Sequence, residues 1–374
     1  MKKSQIEFIG KGKVAELSNV LSPCLGKNIF LVTGKKSYEA CGANEDIDVL
    51  LSGYKVISFN AYSPNPTYDE ALEGATIYAE NNCDFIIAVG GGSAMDVAKT
   101  INVLQAHKGS EYGVVTGKIK VCNTLAPMCV VPTTAGTGSE ATHFAVIYVD
   151  GKKYSLADQT IMPDYVVLDA SYSAGLSPYI TACTGFDALA QAIESFWAKG
   201  ATKESRGFAT KAIKLLVDAI ELAVNISEIS AREKMLLGAN LAGKAINISK
   251  TTAPHALSYA ITTKAGLPHG FAVALTLGNF FLINGRYDAG NEKMAKLYTL
   301  IGVRTPEEAC RWWYGLMAKC GLKPDMALYG IDNPEAIAAL IGAVNIERLD
   351  NHPFSLDEGD LQQAFKPFSP YSLQ

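Results

Sequence analysis

Four short apolar runs, NIFLVTG (28–34), YKVISFN (54–60), DFIIAVGGG (84–92) and MCVVPTT (128–134), constrain the first half of this chain more than any other feature. Runs of this length, bounded by turn residues and rich in β-branched and aromatic side chains, read as strands buried on both faces. Between them lie the helix-patterned stretches SYEACGANEDIDVLLS, TYDEALEGATIYAENN and AMDVAKTINVLQAHKG. Strand and helix in this alternation predict a Rossmann-like parallel sheet covered by helices. AVIYVDGKKYSLAD reads as a β-hairpin, because its Asp150-Gly151 pair suits a type I′ turn.

From Ser177 onward the pattern changes. Long Ala- and Leu-rich periodic stretches such as KAIKLLVDAIELAVN and AREKMLLGANLAGKAIN dominate, with little that alternates as a strand. A chain of 374 residues exceeds one ordinary core. The expected organisation is therefore an α/β domain over 1–176 and an all-helical domain over 177–374, to which the motifs and resemblance below assign dinucleotide binding and metal and substrate binding respectively.

Composition narrows the function. A net charge of -4 without a strong basic excess argues against nucleic acid. The longest apolar runs are too short or too glycine-broken for a bilayer, and the start MKKSQIEFIGKGK lacks a secretory apolar segment. The eight cysteines contain no C-x-x-C pair, and several sit in apolar runs, which points to reduced thiols in a cytoplasmic protein.

VGGGSAMDVAK follows a strand and opens a helix, so backbone N–H groups and the helix N-terminus can receive an anion there. PTTAGTGSEA follows the next strand and brings hydroxyls to the same edge of the sheet; its Gly136-x-Gly138-x-x-Ala141 spacing is a loose match to the dinucleotide fingerprint. Two such loops point to one dinucleotide site. After the first strand, VTGKKSYE offers Lys35 and Lys36 with no carboxylate before Glu39, which favours NADP(H) over NAD(H).

Asp187 and Gln191 fall one helical turn apart, and His255 and His269 follow downstream. A carboxylate and two imidazoles suit a divalent cation, while a histidine taken alone is more often a hydrogen-bonded structural residue than a ligand, so spacing by itself does not establish a metal site.

The ordered segments NPTYDEA, GGGSAMDVAK, PTTAGTGSE, KKYSLAD, MPDYVVLD, GFDALAQAIE and LPHGFAVAL together resemble the iron-containing (group III) alcohol dehydrogenase family over nearly the whole chain. That resemblance implies a dehydroquinate synthase-like architecture, a nicotinamide cofactor, and a catalytic divalent metal in a cleft between two domains. It places metal ligands at Asp187, Gln191, His255 and His269. It places cofactor contacts at Gly34, Asn65, Gly91, Gly92, Ser93, Asp96, Thr133, Thr134, Thr137 and Lys153. It also implies a homodimer or higher assembly.

Two positions depart from the family pattern. Gln191 stands where most members have histidine, and its neutral oxygen is a harder, weaker donor; Fe2+ remains the expected ion, with Zn2+, Mn2+ and Mg2+ as alternatives. Tyr259 stands at a second frequent histidine position, where its phenol can pass a proton. FDALAQAIESF and KTTAPHALSYAITTKAGLPHG are similar to the branch containing phosphonoacetaldehyde reductases. That likeness calls for an anion anchor, for which Lys250, Lys264, Thr251, Thr252 and His143 are candidates, whereas His107 and His352 attract no role. The competing readings are a general butanol-type alcohol dehydrogenase and a metal-free scaffolding subunit.

Overall fold

The computed structural model describes residues 5–22, 28–287, 292–344 and 349–367. It divides into two compact units, Met1–Leu176 and Ser177–Gln374.

The first unit carries β1 (Ile6–Ile9), β2 (Asn28–Thr33), β3 (Lys55–Phe59), β4 (Cys83–Gly90), β5 (Met128–Pro132), β6 (Phe144–Val149), β7 (Lys152–Ala157) and β8 (Tyr165–Leu168). Six of these form one parallel sheet in the order β1-β8-β5-β4-β2-β3. The central strands are apolar along most of their length because both faces are covered, as the full burial of Phe30, Ile86, Ile87, Val130 and Val131 shows. After β2 the chain moves outward to β3 and then returns to the other side of β2 as β4. The reversal leaves a crevice beyond the carboxyl ends of β2 and β4, the position where open α/β sheets hold their ligands.

Local chemistry fixes the helices on this sheet. The Tyr68–Glu80 helix starts with a capping box, in which Thr67 Oγ1 accepts from Glu70 N–H and Glu70 Oε2 accepts from Thr67 N–H. The stretch expected as one helix over 37–52 is two, Ser37–Ala40 and Ala43–Leu50, interrupted at the left-handed Gly42. The β6–β7 hairpin turns on Asp150 (φ 50°) and Gly151 (φ 72°), both left-handed as a type I′ turn requires. β1 and β8, four residues each, pair with one another and escaped the sequence reading because so few residues display no periodicity.

Among the described residues, every element of the second unit is a helix. The Pro178–Trp197 helix is its axis. Ser177 Oγ caps it by accepting from Ile180 N–H, and Pro178 occupies the first turn, where a missing N–H costs nothing. It is buried on nearly every face and packs against the Lys203–Asn225, Ile229–Ser249 and His269–Tyr287 helices. Phe186 meets Trp313 edge to face at 5.1 Å, and Trp197 meets Phe281 at 5.7 Å. No helix among the described residues is long and apolar enough to cross a membrane. The seven cysteines in the described segments are free thiols.

Candidate active site

The cation-binding groups come from three helices of the second unit. Asp187 lies mid-way along the Pro178–Trp197 helix, with Gln191 one turn further on the same face, and both side chains are buried. His255 belongs to the first turn of the Ala253–Ala265 helix, and His269 opens the His269–Tyr287 helix. The ligand atoms of Asp187, His255 and His269 all lie within 4.8 Å of one another. Nε2 of His255 is 3.3 Å, and Nε2 of His269 3.9 Å, from Asp187 Oδ1.

Gly270 makes this convergence possible. A Cβ there would come within 2.1 Å of the Cys183 carbonyl oxygen and 2.6 Å of Asp187 Cβ. Only a residue without a side chain lets the two helices cross closely enough to set His269 beside Asp187.

Hydrogen bonds aim both imidazoles. His255 Nδ1 donates to Glu194 Oε1, which leaves Nε2 as the ring atom turned to Asp187. Ser258 Oγ donates its one proton to the His255 carbonyl at 2.8 Å and so accepts from His269 Nδ1 at 3.3 Å, which turns Nε2 into the lone pair. Asp187 Oδ1, Gln191 Oε1 and His255 Nε2 are buried and lack hydrogen-bond partners. Buried polar atoms of this kind are costly unless positive charge, a shared proton or a metal ion, satisfies them. Burial alone would raise the Asp187 carboxyl, but His255 and His269 beside it hold it below its ordinary value. Burial likewise opposes a charged His255, yet Glu194 and Asp187 outweigh it and lift the imidazole to about 9. Both shifts have one cause, a site whose carboxylates draw in positive charge. The donor set of one carboxylate, two imidazoles and one amide oxygen fits a divalent ion.

The first unit supplies an anion cradle. The Gly92–Ala106 helix begins at the carboxyl end of β4 with Gly91 as N-cap and no side chain capping it. A Cβ on Gly92 would lie 2.8 Å from Thr137 Cγ2, and one on Gly91 3.2 Å from Thr134 Oγ1. The glycines therefore let the two threonines pack directly against the start of this helix, where any side chain would collide with them. Gly34, at the end of β2, lies beside Gly90. Thr133 is buried just past β5, and its N–H donates to Gly90 O. Ser93 Oγ donates to the Pro64 carbonyl, Asn65 is exposed, and Lys153 is half-buried on β7. Lys35 and Lys36 are exposed beyond β2.

Asp96 is engaged with the protein itself. Its carboxylate accepts from Ser139 Oγ at 2.6 Å and from Val146 N–H at 3.0 Å. One turn on, the fully buried Lys99 donates to the carbonyls of Ser139, Thr142 and Phe144. Burial pulls that ammonium down to about 8, with Asp96 and Glu140 opposing. Together the pair staples the threonine loop to the helix beneath it.

The predicted anion anchors are scattered. His143, on the first unit, stacks on Phe144 at 4.2 Å and pairs with Gln159 at 3.1 Å. Lys250 and Lys264, on the second, are exposed. Thr252 is committed elsewhere: its N–H and hydroxyl both donate to Glu194 Oε2, at 2.7 and 2.8 Å. Tyr259 stacks almost parallel on His269 at 5.6 Å. His107 and His352 are buried: the first receives the N–H groups of Cys122 and Asn123, and the second pairs with Asn284 among aromatic rings.

Sequence reasoning missed Glu194, which is wholly buried. The signal was present, since Asp187, Gln191 and Glu194 follow one another at i, i+4 and i+7 on a single helical face.

Comparison with known proteins gives matches along the same two segments. Residues 5–170 match the family model described as iron-containing alcohol dehydrogenase, and residues 181–366 match the one described as Fe-containing alcohol dehydrogenase family, C-terminal. A choline dehydrogenase from Bacillus subtilis is 34% identical over 319 residues, covering 79% of each chain. An NAD-dependent methanol dehydrogenase from Bacillus methanolicus is 31% identical over 79% of this chain and 77% of its own. Among solved structures, a sulfoacetaldehyde reductase from Bifidobacterium kashiwanohense in complex with NAD+ superposes with a TM-score of 0.89, at 31% identity and 97% coverage of both chains.

Proposed function

The chain belongs to the iron-containing alcohol dehydrogenase family, and from that premise we propose that it reduces a short aldehyde bearing a tetrahedral anion. Phosphonoacetaldehyde, yielding 2-hydroxyethylphosphonate, is the first choice of substrate. The observation that carries the reading is the convergence of Asp187, His255 and His269, with Gln191 alongside, around buried acceptors that nothing in the protein satisfies.

When bound, a divalent ion there would polarise the carbonyl oxygen as a Lewis acid, while a nicotinamide would supply the hydride. Asp187, His255 and His269 hold the ion in this reading, and Gln191 adds a weaker oxygen. The Gly91–Gly92 turn and the threonine loop orient the dinucleotide through its phosphates. Tyr259, stacked on His269, is the assigned donor of the proton that the new alkoxide needs, through its phenol oxygen.

Lys250 supports an anionic substrate. It ends the Ile229–Ser249 helix at φ 61° and ψ 177°, a region that is essentially the preserve of glycine and costs a longer residue about 1–3 kcal/mol. Among the described residues, the other non-glycine residues at positive φ are Asn82, Asp150 and Ser227, all short and polar. A lysine kept at such a position, five residues before His255, is a charge worth its strain. The sulfonate of sulfoacetaldehyde, named for the similar structure, has the same tetrahedral shape as a phosphonate. Lys35 and Lys36 favour NADPH as the reductant, by attraction to a 2′-phosphate.

The test is a kinetic screen of the purified protein on phosphonoacetaldehyde, sulfoacetaldehyde and butyraldehyde, with NADPH and NADH, under defined metals. The expected order places the anionic aldehydes at least tenfold above butyraldehyde in kcat/KM, with NADPH preferred. A preference for butyraldehyde would leave a general alcohol dehydrogenase; no retained metal and no turnover would leave a scaffold.

A further inference from the structure

We propose that Glu194 is a positioning residue for cation binding: it fixes the tautomer of His255 and supplies the second negative charge that a divalent ion needs in this buried site. The inference rests on the cation reading above and assigns a residue to it that lies outside the four expected ligands.

Glu194 has no exposed surface, and both its oxygens are engaged. Oε1 accepts from His255 Nδ1, while Oε2 accepts from the Thr252 N–H and hydroxyl. Thr252 Oγ1 in turn accepts from Trp197 Nε1 at 3.0 Å. Trp197, Thr252, Glu194 and His255 thus form one directed chain, in which every proton points toward the carboxylate. The result at the far end is an imidazole whose Nδ1 is committed to Glu194, so that Nε2 is the ring atom turned to Asp187 and, once a metal ion displaces its proton, the atom that can ligate.

Charge gives the second argument. With a divalent ion bound and both imidazoles giving it their lone pairs, Asp187 would be the one charged ligand and would leave the ion half-compensated. Gln191 adds an oxygen but no charge. Glu194 closes the balance, seven residues from Asp187 on the same helix face.

The chain also extends beyond His255. Thr252 lies in the segment that leads from the strained Lys250, and Asn351 grips the same segment by donating to the carbonyls of Ser249 and Thr251, each at 2.8 Å. Glu194 therefore ties the metal ligand to the loop on which Lys250 stands, so that cation binding and loop order reinforce each other.

The experiment strips the full-length protein with a chelator and titrates Zn2+ and Mn2+ against a competing metal indicator, comparing parent, Glu194→Gln and Thr252→Val. Glu194→Gln, which keeps shape and removes charge, is expected to bind both ions about 10–100-fold more weakly. Thr252→Val, which keeps the charge and removes one donor to it, is expected to lose a smaller factor. Hydrogen exchange at the Thr252 N–H should slow on metal addition in the parent and respond less in Glu194→Gln. Parent-like metal affinity in Glu194→Gln overturns the proposal while leaving the cation site standing. A parent that binds neither ion overturns both. Should Glu194→Gln fail to fold, an unchanged affinity in Thr252→Val also overturns it.

Discussion

The cradle of the first unit and the cation centre of the second solve opposite electrostatic problems with opposite materials. In the proposed reading the cradle receives a polyanion with backbone: no side chain caps the N-terminus of the Gly92–Ala106 helix, and Thr134 and Thr137 lie against its glycines. The centre would hold a small cation with side chains from three helices, where Asp187, His255 and His269 converge within 4.8 Å. Backbone N–H groups are identical at every residue, so a phosphate cradle needs only the right turn and no bulk. Carboxylate and imidazole donors belong to particular residues, and a cation site exists only where the tertiary packing brings them together.

This contrast predicts that damage to one region leaves the other intact, and the largest effect should come from Asp187. Asp187→Asn removes charge at the centre while preserving volume. Losing a Lewis-acid contribution of several kcal/mol corresponds to a fall in kcat/KM on the order of a thousandfold. Binding of NADPH, followed by its fluorescence, should stay within about twofold of the parent if the cradle is independent. Full metal content with activity within tenfold of the parent would show that Asp187 is no ligand.

A pair of glycine substitutions sharpens the comparison at the next level down. In Gly270→Ala the new methyl would meet backbone, the Cys183 carbonyl at 2.1 Å, so the helices must part. The expected cost is about 1–3 kcal/mol of stability, read from a denaturant midpoint, together with weakened metal retention. In Gly92→Ala the methyl meets the Thr137 side chain at 2.8 Å, which can rotate at the expense of the cradle. The expected result is a KM for the nicotinamide raised roughly tenfold, since a misplaced contact of this size is worth about 1.4 kcal/mol, with metal affinity unchanged. If both substitutions raised the same constant, the division of labour would be wrong.

The same contrast explains why the two sites differ in how legible they are in the amino-acid sequence. The cradle is contiguous along the chain: a strand, three glycines and a helix, repeated in PTTAGTGSEA after the next strand, so its chemistry is legible from local pattern. The parallel sheet is legible for the same reason, apart from β1 and β8, whose four residues are too few to show a period. The candidate cation centre is assembled from residues 187, 255 and 269, with Gln191 one turn from Asp187, and no local pattern says that these meet. Family resemblance supplied that grouping, and what resemblance did not mark, Glu194, went unread although its spacing from Asp187 was visible. Nor does spacing reveal that Asp96 and Thr252 spend their polar groups inside the protein. Hydrogen-bond allegiance is decided by tertiary neighbours.

The smallest effect expected is at Lys250, and it separates the needs of stability from those of substrate. At φ 61° and ψ 177° the native backbone is strained for lysine and relaxed for glycine. Lys250→Gly should therefore raise the denaturant midpoint, by about 1 kcal/mol after the greater freedom of glycine in the unfolded chain is subtracted. Lys250→Met keeps the strain and removes the charge, so it should leave stability near that of the parent. Both variants should raise KM for phosphonoacetaldehyde several-fold and leave KM for butyraldehyde unaltered, because only the anionic substrate would feel the missing ammonium. A Lys250→Gly protein that is more stable and equally specific would mean that the strain serves the Glu194–Thr252 connection, with no part in choosing the aldehyde.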